Sequence, residues 1–344
     1  MSMTTHERPG VYSSYEASTL VTGNEGAKVV GLAVLSEEGT PGTAVLVTSY
    51  SQAAEEFGSE DKAAVLARTI LENGAAGVAV VPVANETKTD YQAAFTALQG
   101  VEAVKIVVCD STETEIQQAL RDHVQQASQL RLERIGVVEG AKGETVTNLV
   151  QRAAGLNSER VVLAAPGQDT EGLLAAAVAG AIAGETDPAV PLGGTRLAGT
   201  EVTGRYGDND LDLLIRGGVT AVEESGGAVT VTRGVTTRTK TGDAADSTWR
   251  ELTTILIVDE VIPGIRDALR SRFQRSKNTE QTRGAIRSQV VLELEDRVSR
   301  EIITGYDQVS AQPLESDPTV CLVEFSFTVA HGLNQIWLTA HITV

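Results

Sequence analysis

The chain has 344 residues, and its 42% hydrophobic and 22% charged content is ordinary for a soluble globular protein of about two domains. A formal net charge of −18 argues against a general nucleic-acid binder, because phosphate groups would be repelled. No apolar run approaches the ~18 residues of a membrane span, and the N-terminus lacks the pattern of a secretory signal. Cys109 and Cys321 lie far apart in apolar runs, which favours two buried thiols in a reducing cytoplasm over a disulfide.

Residues 1–22 are predicted to form an extended N-terminal arm, because they are polar, contain Pro9-Gly10 and show no helical period. From residue 23 to residue 190, apolar strand-like runs alternate with amphipathic helical patterns. This alternation predicts an α/β domain with a mostly parallel sheet that helices cover on both faces. The predicted strands are 27–35, 43–50, 78–84, 104–110, 135–138 and 161–165, and the predicted helices lie near 60–73, 90–98, 112–130, 144–154 and 171–183.

Local signals refine two of these boundaries. Thr112 followed three residues later by Glu115 has the spacing of a capping box, which predicts a helix start at Thr112. A stretch rich in Gly and Pro, from Asp187 to Gly207, predicts a domain boundary near residue 190. We therefore expect a second domain, of the α+β class, over residues 191–329. Its predicted elements are a helix at 208–216, a hairpin around Gly226-Gly227, a strand or helix start at 251–258, and helices near 260–274 and 282–303.

The clearest periodicity of the chain lies at its C-terminus. Apolar and polar residues alternate in 320–329 and again in 335–344, which predicts two strands. Residues 330–334 between them form either a hairpin turn or a hinge. On this pattern alone, both strands can pair within the subunit, or the second can pair with a neighbouring chain.

Positive charge is concentrated in one segment of this acidic chain. Residues 266–287 contain seven basic and two acidic residues. In the predicted helix 260–274, an apolar stripe at helical spacing is flanked by basic side chains on both sides. The stripe is Ile262, Ile265, Leu269 and Phe273, and the basic residues are Arg266, Arg270 and Lys277 on one side and Arg272 and Arg275 on the other. The basic residues can form a solvated face, pair with another subunit, or dock on an acidic partner.

The sequence lacks the motifs of common enzyme classes. It has no phosphate-binding loop, no dinucleotide fingerprint after a strand and no nucleophile elbow, and its four histidines are scattered. Asp208, Asp210 and Asp212 lack the rest of a calcium loop and favour a helix N-terminus. We therefore predict that the chain is not an enzyme and has no catalytic, cofactor-binding or metal-binding residues.

A series of short motifs, in this order along nearly the whole chain, resembles contractile phage tail sheath proteins of the short type found in myophages, defective prophages and R-type bacteriocins. The first is the PGVY motif at Pro9, Gly10, Val11 and Tyr12. The others are 180–183, 187–188, 213–214, 217–219, the RGVTT run at 233–237, 249–250, 257–259, 275–279, 285–287 and the last two predicted strands.

The resemblance implies a structural subunit that polymerises as stacked hexameric rings around a tail tube in a metastable extended state. Contraction by rigid-body rearrangement would then drive the tube through a cell envelope. The implied partners are further copies of the chain, the tube protein, and the baseplate and tail terminator proteins, with no nucleic acid, no cofactor and no direct membrane insertion. The implied location is a virion tail or a bacteriocin particle, assembled in the bacterial host cytoplasm.

The family also implies roles for both termini. The N-terminal arm and the C-terminal segment 330–344 would add strands to sheets of adjacent subunits, in the mode of β-strand addition. The linking residues of the C-terminal segment would be Ile336, Trp337, Leu338, Ala340 and Ile342, with a hinge at His331, Gly332 and Asn334. The basic helix would face an acidic tube. Two rival hypotheses are an α/β enzyme, either a hydrolase or a transferase, and another filament or shell protein with strand exchange.

Overall fold

The computed structural model describes residues 28–202 and 206–334. The predicted linking residues Pro9 to Tyr12 and Ile336 to Ile342 lie outside the described residues. The strands of the α/β part are β1 (Val29–Leu35), β2 (Val45–Val47), β3 (Gly77–Val83), β4 (Val104–Cys109), β5 (Ile135–Glu139), β6 (Val161–Ala165), β7 (Arg196–Leu197), β8 (Thr220–Ser225) and β9 (Ala228–Val231). Its helices are α1 (Tyr50–Phe57), α2 (Lys62–Glu72), α3 (Lys88–Gln99), α4 (Thr114–Gln129), α5 (Val146–Leu156), α6 (Leu173–Gly184) and α7 (Asp208–Arg216).

Two long helices and a long hairpin make up most of the C-terminal part. The elements are β10 (Lys240–Thr241), β11 (Ala244–Ala245), α8 (Leu252–Phe273), α9 (Glu280–Ser299), β12 (Ile303–Leu314) and β13 (Asp317–Val329). Strands β12 and β13 pair with each other in antiparallel fashion as a separate sheet.

The α/β part is built on one sheet with the strand order β2-β3-β1-β4-β5-β6-β8-β9-β7. The six strands from β3 to β8 in this order run parallel, and β2, β9 and β7 pair in antiparallel fashion at the two ends. Strands β3, β5 and β6 are buried at every residue, because helices cover both faces of the sheet. The predicted mixed α/β fold with a mostly parallel sheet is confirmed.

Each face of the sheet has its own apolar core. Helices α1, α2 and α6 pack on one face, and α3, α4, α5 and α7 pack on the other. Helix α6 is buried over almost its whole length and consists mainly of Ala, Gly and Leu. A Cβ atom at Gly180 would collide with the carbonyl oxygen of Ile70, so α6 and α2 approach closely only because residue 180 is glycine.

The sheet continues past residue 190, where the sequence placed the end of the α/β domain. Strand β8 pairs in parallel with β6, and β9 and β7 follow it in the same sheet. The hairpin predicted around Gly226-Gly227 joins β8 to β9, and both glycines have positive φ, as a tight two-residue turn requires. The domain limits 23–190 and 191–329 stay a prediction.

Several predicted boundaries differ from the structure. The capping box at Thr112 is wrong, because the Thr112 hydroxyl donates to Glu171 and α4 begins at Thr114 after Glu113, without a side-chain cap. The predicted strand 43–50 is shorter and is followed by α1, whose first turn is capped by Ser49. Helix α8 includes the ambiguous residues 251–258 from Leu252 onward. Helix α9 ends at Ser299, so residues 300–303 lead into β12 rather than extending the helix.

A third apolar core lies among α8, α9 and the β12–β13 hairpin. It contains Ile257, Val261 and Ile265 from α8 together with Val290 and Leu294 from α9. Leu252 and Ile255, in the first turn of the same helix α8, belong instead to the core on one face of the large sheet. One helix therefore contributes to the hydrophobic cores of both parts of the chain.

Two ion pairs join α8 to the edge of the sheet where β5 and β6 begin. The Arg160 guanidinium donates to both carboxylate oxygens of Asp259, at 2.7 and 2.9 Å. Arg266 donates to Glu133 at 2.6 Å. Burial raises the pKa of Asp259 in spite of Arg160. Burial is also the largest single effect on Glu133, but the hydrogen bond from Arg266, a backbone hydrogen bond and the nearby positive charges together lower the pKa of Glu133. We call these two pairs the α8 clamp.

A buried carboxylate holds α6 against the sheet. Glu139, at the end of β5, accepts hydrogen bonds from the backbone N–H groups of Gln168, Leu174 and Ala175, at 2.6, 2.8 and 3.2 Å. Leu174 and Ala175 lie in the first turn of α6. The N-cap residue of this helix is Gly172, which has no side chain that could accept their hydrogen bonds. Burial raises the pKa of Glu139 to about 7, against the effect of these hydrogen bonds.

Breaking the α8 clamp should destabilise the subunit. Substitution Arg160→Met would leave the buried Asp259 carboxylate without its cation, and we expect a loss of roughly 3 kcal/mol in the free energy of unfolding. The measurement is urea unfolding followed by circular dichroism. The matched control is Arg216→Met, which removes an exposed pair with Asp212 and should cost less than about 0.5 kcal/mol. Equal losses in the two variants would contradict a role for the clamp.

The titration of Glu139 should make stability depend on pH. Its pKa is about 7 in the folded chain and has an ordinary value of 4.5, so the folded state binds more protons between these two values. Stability from this group should therefore be present below pH 4.5 and decline as the pH rises to 7. We expect the difference in melting temperature between the wild type and Glu139→Gln to fall across this window. A pH-independent difference would contradict the assignment.

Candidate functional site

The β12–β13 hairpin projects as a two-stranded sheet with one packed face. Val323, Phe325, Phe327 and Val329 alternate along β13 and pack against the core that α8 and α9 form. The opposite face is open, and Leu322 remains 44% exposed there. Tyr306 on β12 donates its hydroxyl to Glu295 on α9 at 2.5 Å, which ties the hairpin to that helix. The predicted strand 320–329 is thus part of a hairpin that is fixed to the body of the subunit.

Both edges of this hairpin are open. Among the described residues, β12 and β13 have only each other as hydrogen-bonded neighbours. Each strand therefore has an outer edge without a strand partner, although at the start of β13 the carbonyl oxygens of Pro318 and Val320 accept hydrogen bonds from the Asn278 side chain. Such an edge can accept a strand from another chain segment by main-chain hydrogen bonding.

Strand β12 was missed from the sequence because its alternation is interrupted. The pairing with β13 shifts between Asp307 and Ser310, and Gln308 in this interval has a positive φ of 56°. A bulge of this kind adds a residue and moves the following side chains to the other face. The polar composition of residues 304–308 further hides the pattern. The sequence retains only a weak indication of this strand, the alternation Val309-Ser310-Ala311. Tyr306, which precedes it, is half-buried in the structure.

The predicted hinge residues follow β13 directly. Ala330 still donates its N–H to the carbonyl oxygen of Ile302 at 3.2 Å. His331 and Asn334 are exposed, whereas Gly332 is half-buried against the ring of Pro191. The structure therefore places the three predicted residues in different surroundings, with Gly332 in contact with the body of the subunit.

The basic residues predicted to lie along one helix separate into two groups. Arg266 is engaged in the α8 clamp, and Arg272 donates to the side-chain oxygen of Gln289 on α9. Helix α8 ends at Phe273, so Arg275 and Lys277 lie in the loop before α9 rather than on the helix. That loop is fastened to the hairpin, because the Asn278 amide donates to the carbonyl oxygens of Pro318 and Val320, at 2.8 and 3.1 Å.

Four cations remain exposed at this end of the helix pair. They are Arg270, Arg275, Lys277 and Arg287, and none of them forms an ion pair with another of the described residues. We call this group the basic tip. Of the predicted stripe, Ile265 is buried, whereas Ile262, Leu269 and Phe273 are half-buried. The basic tip is thus a compact positive surface on a chain of net charge −18.

The place where parallel α/β folds commonly bind ligands is closed by side chains. This place is the crevice at the carboxyl ends of β1 and β4, where the strand order reverses. Asp110 fills it, accepting from Lys62 Nζ at 2.6 Å, from the backbone N–H of Leu35 at 3.2 Å, and from the Tyr91 hydroxyl. Burial and the neighbouring Asp110 raise the pKa of Tyr91 and of the Cys109 thiol, so neither is prepared for acid–base or nucleophilic chemistry.

The described ranges contain neither a metal-ligand cluster nor a membrane-spanning helix. In residues 28–202 and 206–334, no group of three or more His, Cys, Asp or Glu side chains is placed to hold a metal ion. Within the same ranges, no helix has both the length and the apolar character needed to cross a bilayer. Cys109 is buried and Cys321, on the less covered hairpin, is half-buried, and both are free thiols.

Comparisons with known proteins converge on one family. Residues 244–343 match the family model described as the phage tail sheath C-terminal domain. A tail sheath protein of Bacillus phage SP01 is 28% identical over 257 residues, which are 69% of this chain and 42% of that relative. The chain thus spans less than half the length of that relative.

Solved structures share the fold at low sequence identity. The sheath tail protein from Desulfitobacterium hafniense has a TM-score of 0.70 and 12% identity, covering 93% of this chain and 100% of that one. The helical sheath of the anti-feeding prophage in its contracted state has a TM-score of 0.72 and 14% identity, covering 97% and 98%. The matched residues 244–343 begin at β11 and include the helix pair and the hairpin described above. The resemblance to phage tail sheath proteins that the sequence motifs predicted is thus confirmed: residues 244–343 match the sheath C-terminal domain model, and the fold is that of known sheath proteins.

Proposed function

We propose that this chain is a subunit of a contractile tail sheath, which polymerises around a tail tube and contracts to drive it through a cell envelope. The observation that carries this proposal is the open-edged hairpin of the C-terminal part, which lies in the residues matched by the sheath family model. Contraction is a property of the anti-feeding prophage sheath, which has a similar fold. An enzymatic function has less support, because Asp110 and Lys62 close the crevice where a substrate would bind.

Strand exchange is the proposed link between subunits. The hairpin offers two unpaired strand edges, and the alternating residues 335–344 have the pattern of a strand that buries one face. A segment from one subunit added to the hairpin of another would be held by main-chain hydrogen bonds, with Ile336, Leu338 and Ile342 setting the register. The N-terminal residues Pro9 to Tyr12 are proposed to add a further strand, which would cover both edges.

The basic tip is the proposed surface for the tail tube. Its four exposed cations would meet acidic groups of the tube in the extended state and separate from them as contraction widens the sheath. Arg266 and Arg272 are excluded from this contact, because their guanidinium groups are bound to Glu133 and Gln289. The competing partner for the basic tip is the acidic surface of a neighbouring sheath subunit.

Contraction is proposed to proceed by rigid-body movement of subunits linked through flexible connections. The α8 clamp and the shared use of α8 by two cores support a subunit that moves as one body. Head-to-tail contacts of identical subunits generate open helical arrays, which suits stacked hexameric rings around a tube. The baseplate and tail terminator are further proposed partners, in a virion tail or bacteriocin particle assembled in the host cytoplasm.

Removing the C-terminal segment should abolish polymerisation without unfolding the subunit. We expect the chain lacking residues 335–344 to keep its melting temperature and to remain monomeric in sedimentation, whereas the intact chain forms sheath tubes visible by electron microscopy. Deleting residues 1–22 should have the same effect.

Two sets of point variants refine this test. Replacing Ile336, Leu338 and Ile342 by Ser should reproduce the loss, because the buried face supplies register and apolar contact. Replacing Thr339 and Thr343 by Ser is the matched control and should leave tubes intact. Tubes of normal length from the truncated chain would refute strand exchange.

Charge reversal should test the basic tip. In the triple variant Arg270→Glu, Arg275→Glu and Lys277→Glu, repulsion from an acidic tube should prevent extended sheath from forming on co-expressed tube protein. Electron microscopy would count sheathed tubes. The control reverses three exposed cations elsewhere, Lys88, Arg131 and Lys240, with the same change in net charge. Sheathed tubes in the triple variant would contradict the proposal, and loss of self-assembly without the tube would assign the basic tip to a neighbouring sheath subunit instead.

A further inference from the structure

Among the described residues, the C-terminal segment makes its last contact with the body of the subunit shortly before residue 335. After the hydrogen bond from Ala330 to Ile302, His331 is exposed, Gly332 is half-buried, and Leu333 and Asn334 are exposed. Leu333 is an apolar residue and is nevertheless 74% exposed. Gly332 is thus the final described residue at which the chain is held by surrounding atoms.

Gly332 fits its position only because it lacks a side chain. A Cβ atom at residue 332 would lie 2.8 Å from Cγ, 2.9 Å from Cβ and 3.1 Å from Cδ of Pro191. The backbone of Gly332 does not have a positive φ, so the requirement is for space rather than for conformational freedom. The Pro191 ring is bonded to its own backbone and cannot rotate away, in contrast to a flexible side chain.

The loop that carries Pro191 is itself well anchored. Asp187 accepts hydrogen bonds from the N–H groups of Ala189, at 2.9 Å, and Val190, at 3.2 Å, which closes a turn. After Pro191, the side chain of Leu192 is 5% exposed and belongs to the core on the large sheet. Pro191 therefore lies between a closed turn and a buried anchor, so its ring has a fixed position.

We propose that Pro191 is the seat against which Gly332 rests, and that this contact sets the direction in which residues 335–344 leave the subunit. The inference deepens the proposed function and rests on strand exchange by that segment. A strand that must reach a neighbouring hairpin in one orientation and register binds better when its starting point is restricted. With Gly332 held on the Pro191 seat, the rotation that contraction demands falls on Leu333 and Asn334, so that of the predicted hinge residues His331, Gly332 and Asn334 only the last would rotate.

A double-mutant cycle on the full-length chain tests the seat. The readout is the critical concentration for polymerisation, measured by sedimentation, with thermal melts to check that each monomer is folded. We expect Gly332→Ala to raise the critical concentration about tenfold and Pro191→Gly to raise it about threefold, and we expect Gly332→Ala to add little in the Pro191→Gly background. This non-additivity follows because glycine at 191 removes the atoms that the new methyl group would meet.

The control is Gly155→Ala in α5, where no atom lies within 4 Å of the added Cβ and which is outside the hairpin, and its critical concentration should equal that of the wild type. A wild-type value for Gly332→Ala, or the same fold-change in both backgrounds, would overturn the seat. If Gly332→Ala did not fold, a wild-type critical concentration for Pro191→Gly would overturn it instead. Polymerisation of the chain lacking residues 335–344 would refute strand exchange itself, so the two failures can be told apart.

Discussion

Helix α8 is the element on which the two parts of this subunit depend. Its first turn is buried in the core on the large sheet, and its middle is buried in the core beneath the hairpin. Arg160 and Glu133, at the edge where two central strands begin, bind it from the side. Because one helix, Leu252–Phe273, belongs to both hydrophobic cores, the hairpin and the sheet are connected through packed side chains of the same element. Such a connection would suit the proposed function, in which each subunit moves as one body.

The same arrangement explains why the basic segment is divided. Arg266 is part of the α8 clamp, and its positive charge is paired with Glu133 within the subunit. Beyond Arg266, toward the end of α8 at Phe273 and in the loop that follows, the cations of the basic tip are exposed. On a strongly acidic chain, the basic tip offers charge complementarity to an acidic partner or to the acidic surface of another copy. The position of the tip beside the hairpin, fastened by Asn278, places charge contacts and proposed strand exchange in one region.

One face of the hairpin is packed against the subunit, whereas its two edges are open to a further strand. Its packed face and the Tyr306–Glu295 hydrogen bond hold it to the subunit, while its edges lack a partner strand in the described part of the chain. Open edges are normally an aggregation risk. In a protein that is proposed to assemble through added strands, they are instead the binding surface, and the Pro191 seat would make the encounter selective.

Much of the fold follows from the sequence, because local periodicity is a direct record of which side chains face a core. The alternation of apolar strands with amphipathic helices predicted the parallel sheet, and the Gly226-Gly227 pair predicted a tight turn. The prediction failed where tertiary contacts overrule local pattern. Thr112 has the spacing of a helix cap but binds Glu171, and the bulge at Gln308 hid β12.

By itself, then, the amino-acid sequence determined the class of fold, the order of most elements, the resemblance to tail sheath proteins and the existence of a basic segment. Only the tertiary structure decided which basic residues are free, because pairing of Arg266 with Glu133 joins residues 133 positions apart. It also decided that the sheet continues past residue 190 and that Gly332 rests on Pro191. Contacts between residues so distant in the chain leave no periodic trace in the sequence, since each depends on where the other elements pack.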